Sequence, residues 1–289
     1  MNYLDDFVVL GDDEESCQRA QGLLHSMLYN FGFGIKDDKV TKPKTTFKYL
    51  GIMVDTIDMC IYIDDDKLKR VRAEVLSLLD KKVCKRKTLE EVAGLLAHCA
   101  TVVKGGRTFA RRIYNLLRDA TTDMVTLDAC VQQDFIWWGS FIQWFNGKAK
   151  VLGSQLPHLD VTSDSSDFGF GAYTTDDYFW GAWSREAAKC PHSENPPTNE
   201  YYDSHINVTE LWPVVVAIHR WGPTWRNRRI TVVTDNTQVQ GALNTGRSSN
   251  AYTMAWLREI FWVSAFFNID IQAARITSVD NILADSLSR

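Results

Sequence analysis

The hydrophobic positions of the C-terminal half fall into short alternating runs separated by turn residues. Leu159 to Tyr173, Leu-Asp-Val-Thr-Ser-Asp-Ser-Ser-Asp-Phe-Gly-Phe-Gly-Ala-Tyr, predicts an apolar strand that delivers Asp164 to its end. A small polar turn and a Gly-punctuated strand pairing back on the first follow. Tyr178 to Trp183 supplies a third strand. Asn207 is placed to cap a helix whose third residue is Glu210, and Pro213 inside that helix predicts a kink. The β-branched run Arg229 to Thr234 reads as a buried strand ending at Asp235. Ser248 to Phe267 has helical spacing, with Met254, Leu257, Phe261 and Trp262 as its apolar positions. Ile269 to Ala274 is a last strand, and Asp285 sits in a short terminal helix.

The N-terminal half is patterned differently. Met1 to Gly11 reads as two short strands around a Leu-Asp-Asp turn, and Glu14 to Tyr29 as a helix. Phe47 to Asp55 and Cys60 to Ile63 read as a strand pair. Helices follow over Asp64 to Lys82, over Thr88 to Val103 with a Thr88-Leu-Glu-Glu91 capping box, and over Arg107 to Leu117 beyond the Gly105-Gly106 break. Leu127 to Phe145 is a Trp-rich helix whose aromatics suit core or inter-domain packing. The expected division is 1–63, a helical 64–147, a linker over 148–156, and a C-terminal domain over 157–289.

Composition adds a size estimate and an electrostatic one. With 289 residues, 45% of them hydrophobic, the chain can bury more than one core. The formal charge of −4 hides a segregated distribution, since Lys67 to Arg118 holds 14 basic residues against 4 acidic ones. Such a basic stretch predicts a phosphate-tracking surface, although a solvated helix face gives the same count. Its candidate contacts are Lys81, Lys82, Lys85, Arg86, Arg107, Arg111 and Arg112. Six cysteines with no C-x-x-C pair argue against a disulfide framework and a zinc site. Cys190, His192 and His205, in a polar loop over Arg185 to Asn207, match no zinc spacing either. No signal peptide precedes the first element and Phe261 to Phe267 is too short to span a bilayer, so an intracellular protein without a membrane partner is expected.

Asp164, Glu210, Asp235 and Asp285 stand at the ends of a strand, a helix, a strand and a helix. Hard divalent cations take oxygen ligands and neutralise converging carboxylates, so this set predicts a site for two metals. Two neighbours compete. Asp167 is read as the solvated residue of its turn, and Asp280 as a helix cap before Asn281.

These phrases carry a family resemblance. Thr162-Ser-Asp-Ser-Ser, Glu210-Leu-Trp-Pro-Val, Val233-Thr-Asp-Asn and Asn281-Ile-Leu-Ala-Asp-Ser-Leu-Ser-Arg, in register over about 157 to 289, resemble a ribonuclease H domain. Its acidic residues come in the order Asp, Glu, Asp, Asp and its elements in the order βββαβαβα. The C-terminal phrase, Trp137-Trp138 and Trp144-Phe-Asn-Gly147 look most like the reverse transcriptases of DIRS-type retrotransposons. Tyr3-Leu-Asp-Asp6 resembles the Tyr-x-Asp-Asp polymerase motif, with Asp5 the stronger ligand and Asp6 the weaker. Phe47-Lys-Tyr-Leu-Gly51 looks like the hairpin that grips the primer end, and the helices after it like a thumb and connection.

The resemblance implies an α/β fold: a ribonuclease H-like mixed five-stranded sheet with flanking helices, preceded by a partial α+β palm and a helical thumb and connection. It implies two Mg²⁺ ions, with Mn²⁺ as substitute, roughly 4 Å apart. Asp164 would bridge them, Asp285 would share the water-side ion, and Glu210 and Asp235 would complete the other. The implied reaction cleaves the RNA strand of an RNA–DNA hybrid to 5′-phosphate and 3′-hydroxyl ends. Asn236 and Gln238 would reach the minor groove and its 2′-hydroxyls. The loop from Arg275 to Ser278 lacks the histidine that many ribonucleases H carry, so proton transfer or product release is expected to differ. A polymerase site needs a third carboxylate from an earlier strand, so no DNA synthesis is expected unless the missing upstream reverse-transcriptase segment acts as a partner. The competing expectation is a non-catalytic nucleic-acid-binding remnant of a retrotransposon polyprotein.

Overall fold

The computed structural model describes residues 2–3, 6–36, 40–145, 149–150, 157–183 and 206–289. Its elements begin with β1 (Asn2–Tyr3), β2 (Asp6–Phe7), α1 (Glu14–Asn30), β3 (Thr46–Tyr49), β4 (Ile52–Asp55) and β5 (Cys60–Tyr62). Then come α2 (Asp65–Leu78), β6 (Val83–Lys85), α3 (Arg86–Cys99), α4 (Gly106–Asp119), β7 (Met124–Thr126), α5 (Ala129–Phe145) and β8 (Ala149–Lys150). The C-terminal part holds β9 (His158–Ser165), β10 (Gly169–Tyr173), β11 (Tyr178–Ala182), α6 (Ile206–Thr209), α7 (Trp212–Trp221) and β12 (Arg229–Thr234). It closes with α8 (Thr237–Thr245), α9 (Ala251–Phe267), β13 (Asp270–Arg275) and α10 (Ile282–Ser288). Two compact units result, Met1–Asp66 with Gly147–Gly153, and Lys67–Asn146 with Ser154–Arg289. Among the described residues no helix is long and apolar enough to cross a membrane.

In the first unit β1 and β2 pair antiparallel, with Tyr3 opposite Asp6, and β3, β4, β5 and β8 form a four-stranded sheet in that order. The run expected as one strand over Phe47 to Asp55 is folded back at Leu50 and Gly51, whose φ angles are 49° and 75°. Two consecutive left-handed residues make the tight hairpin turn whose twist suits paired strands. Leucine does not announce such a turn, because its Cβ resists that conformation.

The second unit is built on a five-stranded sheet in the order β11-β10-β9-β12-β13. β9, β12 and β13 run parallel, while β10 is antiparallel to both β9 and β11. Parallel neighbours require crossovers. α6 and α7 lie between β11 and β12, and α8 and α9 between β12 and β13. Among the described residues the strands and helices follow in the expected order, with two helices in each crossover. Buried Ile230 and Val232 alternate along β12 with partly exposed Arg229, Thr231 and Val233. Above the β9–β10 hairpin lies α10, and the glycines of Gly169-Phe-Gly171 explain how closely. A Cβ on Gly171 would stand 2.4 Å from Leu287 Cβ, and one on Gly169 3.3 Å from the Ser288 carbonyl oxygen of α10 and 2.4 Å from the Gly181 carbonyl oxygen of neighbouring β11. Only a residue without a side chain admits that approach.

The helices before the sheet belong to the same unit. Trp137 stacks on Phe109 at 4.1 Å between ring centroids, and Trp262 of α9 meets both Phe109 and Phe141. Trp137 and Trp138 are fully buried. Asp134 accepts hydrogen bonds from Arg112 of α4 at 3.1 Å and Arg258 of α9 at 3.2 Å. Thr108 donates to the carbonyl of Gly246 at 2.6 Å, and Asp270 pairs with both Lys104 and Arg229.

Two expected helix boundaries are corrected. α3 starts at Arg86 with no side-chain cap, so Thr88 sits in its first turn and forms no capping box. The reason is that β6 pairs with β7 and runs straight into the helix, the Arg86 N–H donating to the Asp123 carbonyl at 2.7 Å. α2 stops at Leu78 rather than Lys82, two residues before Asp80 turns left-handed with a φ of 63°. Most of the 148–156 segment, with Cys190, His192, His205 and Asp5, lies outside the described residues.

Candidate metal centre

β9 and β12 are parallel neighbours, so the chain leaves both at the same edge of the sheet. Asp164 is the penultimate residue of β9, paired with Gly171 across the hairpin, and Asp235 directly follows β12. Carboxyl ends of parallel strands are where α/β sheets place their ligands. The third carboxylate comes from the bend between α6 and α7. Here the expected capping arrangement is corrected: Asn207 lies inside α6, and Glu210 follows that helix. Nor does Pro213 kink anything. It occupies the first turn of α7, where its missing N–H would have had no helical partner.

Asp164, Glu210 and Asp235 each offer a carboxylate oxygen within 4.8 Å of the other two. Burial, then the negative charges of Asp164 and Asp235, push Glu210 up to about 9, while the Ser165 N–H partly opposes them. Its Oε2 is buried with no hydrogen-bond partner among the described residues. Asp164 is also raised, first by burial and then by Asp235 and Asp285, against the lowering effect of the Ser288 hydroxyl and Arg289. Converging carboxylates and an orphaned oxygen form an all-oxygen donor set that a divalent cation would neutralise, so these residues fit Mg²⁺ or Mn²⁺.

Asp285 stands outside that group. It lies in the first turn of α10, and its Oδ1 accepts from Arg289 through Nε at 3.0 Å and a terminal nitrogen at 2.9 Å. Asp167 is exposed in the β9–β10 turn. Asp280 does not cap α10: the N-cap is Asn281, and Asp280 accepts instead from the Thr277 hydroxyl at 2.5 Å. Three further contacts were not anticipated. Asn281 donates to Asp164 Oδ1 at 3.2 Å, Ser288 to Asp164 Oδ2 at 2.7 Å, and Ser278 to Asp235 Oδ2 at 2.6 Å. Small polar residues in a terminal helix and its approach loop carry no periodic signal, and only a pairing partner distant in sequence gives them a role.

The remaining candidates are spread over the second unit. Lys81, Lys82, Lys85, Arg107 and Arg111 are exposed. Arg86 is engaged by Glu90 and the Ala120 carbonyl, both at 2.9 Å. Arg112 is occupied by Asp134 and the Cys130 carbonyl. The Asn236 oxygen caps α8, accepting from the N–H groups of Gln238 at 2.9 Å and Val239 at 3.1 Å, and the Gln238 side chain is exposed beside it. In the first unit Asp6 is exposed on β2.

No protein-family model and no curated protein matches the chain. Among solved structures, the foamy viral protease-reverse transcriptase in complex with RNA/DNA hybrid aligns over 92% of this chain at 11% identity and a TM-score of 0.44. This chain spans only 34% of that protein. RNase H1 from Halobacterium salinarum aligns over 45% of this chain and 92% of its own, at 12% identity and a TM-score of 0.32. An N-terminal RNase H domain from Mycobacterium tuberculosis aligns over 45% and 90%, at 15% identity and a TM-score of 0.33.

Proposed function

We propose that the chain is a reverse transcriptase and ribonuclease H fragment of DIRS-type retrotransposon origin. Its C-terminal part is an endonuclease that hydrolyses the RNA strand of RNA–DNA hybrids with two divalent cations. The observation that carries the proposal is the meeting of Asp164, Glu210 and Asp235, from three separate elements, within 4.8 Å. A bound Mg²⁺ supplies an acidified water and charge neutralisation at the scissile phosphate.

The protein's own groups do the rest. Asp164, Glu210 and Asp235 would hold the cations, and Asp285, now paired with Arg289, would complete the set. Ser278 orients Asp235 from the loop where many ribonucleases H carry a histidine. Gln238, exposed at the start of α8, is positioned to contact a 2′-hydroxyl, which distinguishes RNA from DNA. Lys81, Lys82, Lys85, Arg107 and Arg111 offer positive charge to the sugar-phosphate backbone. No role in synthesis is assigned to Asp5 and Asp6 in the chain alone.

Incubation with a labelled RNA–DNA hybrid and Mg²⁺, beside Asp164→Asn, tests the proposal. RNA-strand cleavage by the wild type and its loss in the variant are expected. Hybrid binding without cleavage by the wild type contradicts the nuclease and favours a nucleic-acid-binding remnant.

A further inference from the structure

Asp164 is buried near the carboxyl end of β9, the central strand of the sheet, and both of its oxygens are engaged from α10: Oδ1 by Asn281 Nδ2 at 3.2 Å, Oδ2 by Ser288 Oγ at 2.7 Å. The two donors, each 1% exposed, bracket the whole helix, one at its N-cap and the other its last residue. Seven residues apart, they lie almost two helical turns apart on one stripe, and Asp285 falls between them on the same stripe.

Asn281 is informative for what it does not do. An asparagine at an N-cap ordinarily turns its side-chain oxygen onto the N–H groups of the first turn. At Asn281 no such bond is made, and the amide is directed to Asp164 instead, although the Asn281 carbonyl still accepts from the Asp285 N–H at 3.0 Å. Ser288 makes a similar choice. Its hydroxyl lies 3.0 Å from the Asp285 carbonyl but 2.7 Å from the carboxylate, and with one proton to give it favours the charged acceptor. The Ser288 carbonyl is itself anchored by the Ser166 hydroxyl at 2.5 Å, which ties the end of α10 to the end of β9.

We propose that Asn281 and Ser288 are positioning residues that orient the Asp164 carboxylate and align Asp285, between them, with the cation site. The inference rests on the metal-dependent reading given above. A carboxylate oxygen has two lone-pair directions. Each donor takes one on its own oxygen and leaves the other for a cation, so Asp164 is held ready to bind through both oxygens. Outer hydrogen bonds of this kind change metal affinity about 10- to 100-fold when removed.

Mn²⁺ binding to the full chain, followed by calorimetry and by the electron paramagnetic resonance spectrum of the bound ion, is the test. Asn281→Ala and Ser288→Ala should each weaken Mn²⁺ binding by about 10-fold or more with an unchanged circular dichroism spectrum. Ser288→Thr, which keeps the hydroxyl, should restore most of the affinity. If Asn281→Ala does not fold, the Ser288 pair carries the test alone. A wild type that binds while Ser288→Ala binds equally well overturns this inference and leaves the site standing. A wild type that binds no Mn²⁺ removes the site and this inference with it.

Discussion

An isolated glutamate is ionised at pH 7, yet Glu210 is almost fully buried and faces Asp164 and Asp235. Its pKa is raised from 4.5 to about 9, so between those values the folded chain holds a proton that the unfolded chain has released. Stability from this group is therefore complete below pH 4.5 and drains away as pH rises through about 9. Denaturation in a chelator should show the wild type losing about 4 kcal/mol relative to Glu210→Gln between pH 5.5 and 8.5. Parallel pH profiles for the two proteins would contradict that. The four carboxylates were legible as a set because each closes a patterned run, and three of them do converge. Asn281, Ser278 and Ser288 were not, because a hydroxyl or amide has no hydrophobic periodicity and its partner lies up to 124 residues away.

At the scale of elements, the strands of the C-terminal half were legible as short apolar runs bounded by turn residues, and helix ends were the least legible part. Thr88 and Asn207 both carry capping chemistry, but in each case the chain is already helical before them. Local propensity gave way to β6–β7 pairing in the first case and to the α6–α7 break ahead of Pro213 in the second. Contact between α10 and the β9–β10 hairpin depends on Gly171, so Gly171→Ala should push Leu287 and the helix outward. A loss of about 1–3 kcal/mol in chemical denaturation is expected. Cleavage should fall with it, because α10 carries Asp285 and both donors to Asp164; wild-type cleavage would contradict that role. The Asp134 junction between α4, α5 and α9 is a second test. Removing its carboxylate leaves Arg112 and Arg258 facing one another, so Asp134→Ala should cost about 3–5 kcal/mol of stability.

For the whole molecule, the aromatic helix α5 was legible as buried but not as to its partners, since a run of tryptophans says nothing about what covers it. Phe109 and Trp262 supply those partners, and they join the helices of 67–146 to the C-terminal sheet in one unit. Charge segregation was visible at once, but which cations remain exposed depends on pairing. Lys81, Lys82 and Lys85 remain exposed, whereas Arg112 is held by Asp134. Replacing those three lysines with serine should therefore flatten the salt dependence of hybrid binding by about 2–3 units in the log–log slope. Fluorescence anisotropy across a salt series reads it, and an unaltered slope would place the nucleic-acid path elsewhere.

Anomalous diffraction from crystals of the chain soaked in Mn²⁺ bears most directly on the cation site. The account predicts an anomalous peak within coordination distance of Asp164, Glu210 and Asp235 together, absent in Asp164→Asn. Crystals in which those three carboxylates gather no metal, or in which Mn²⁺ settles only elsewhere, would contradict it.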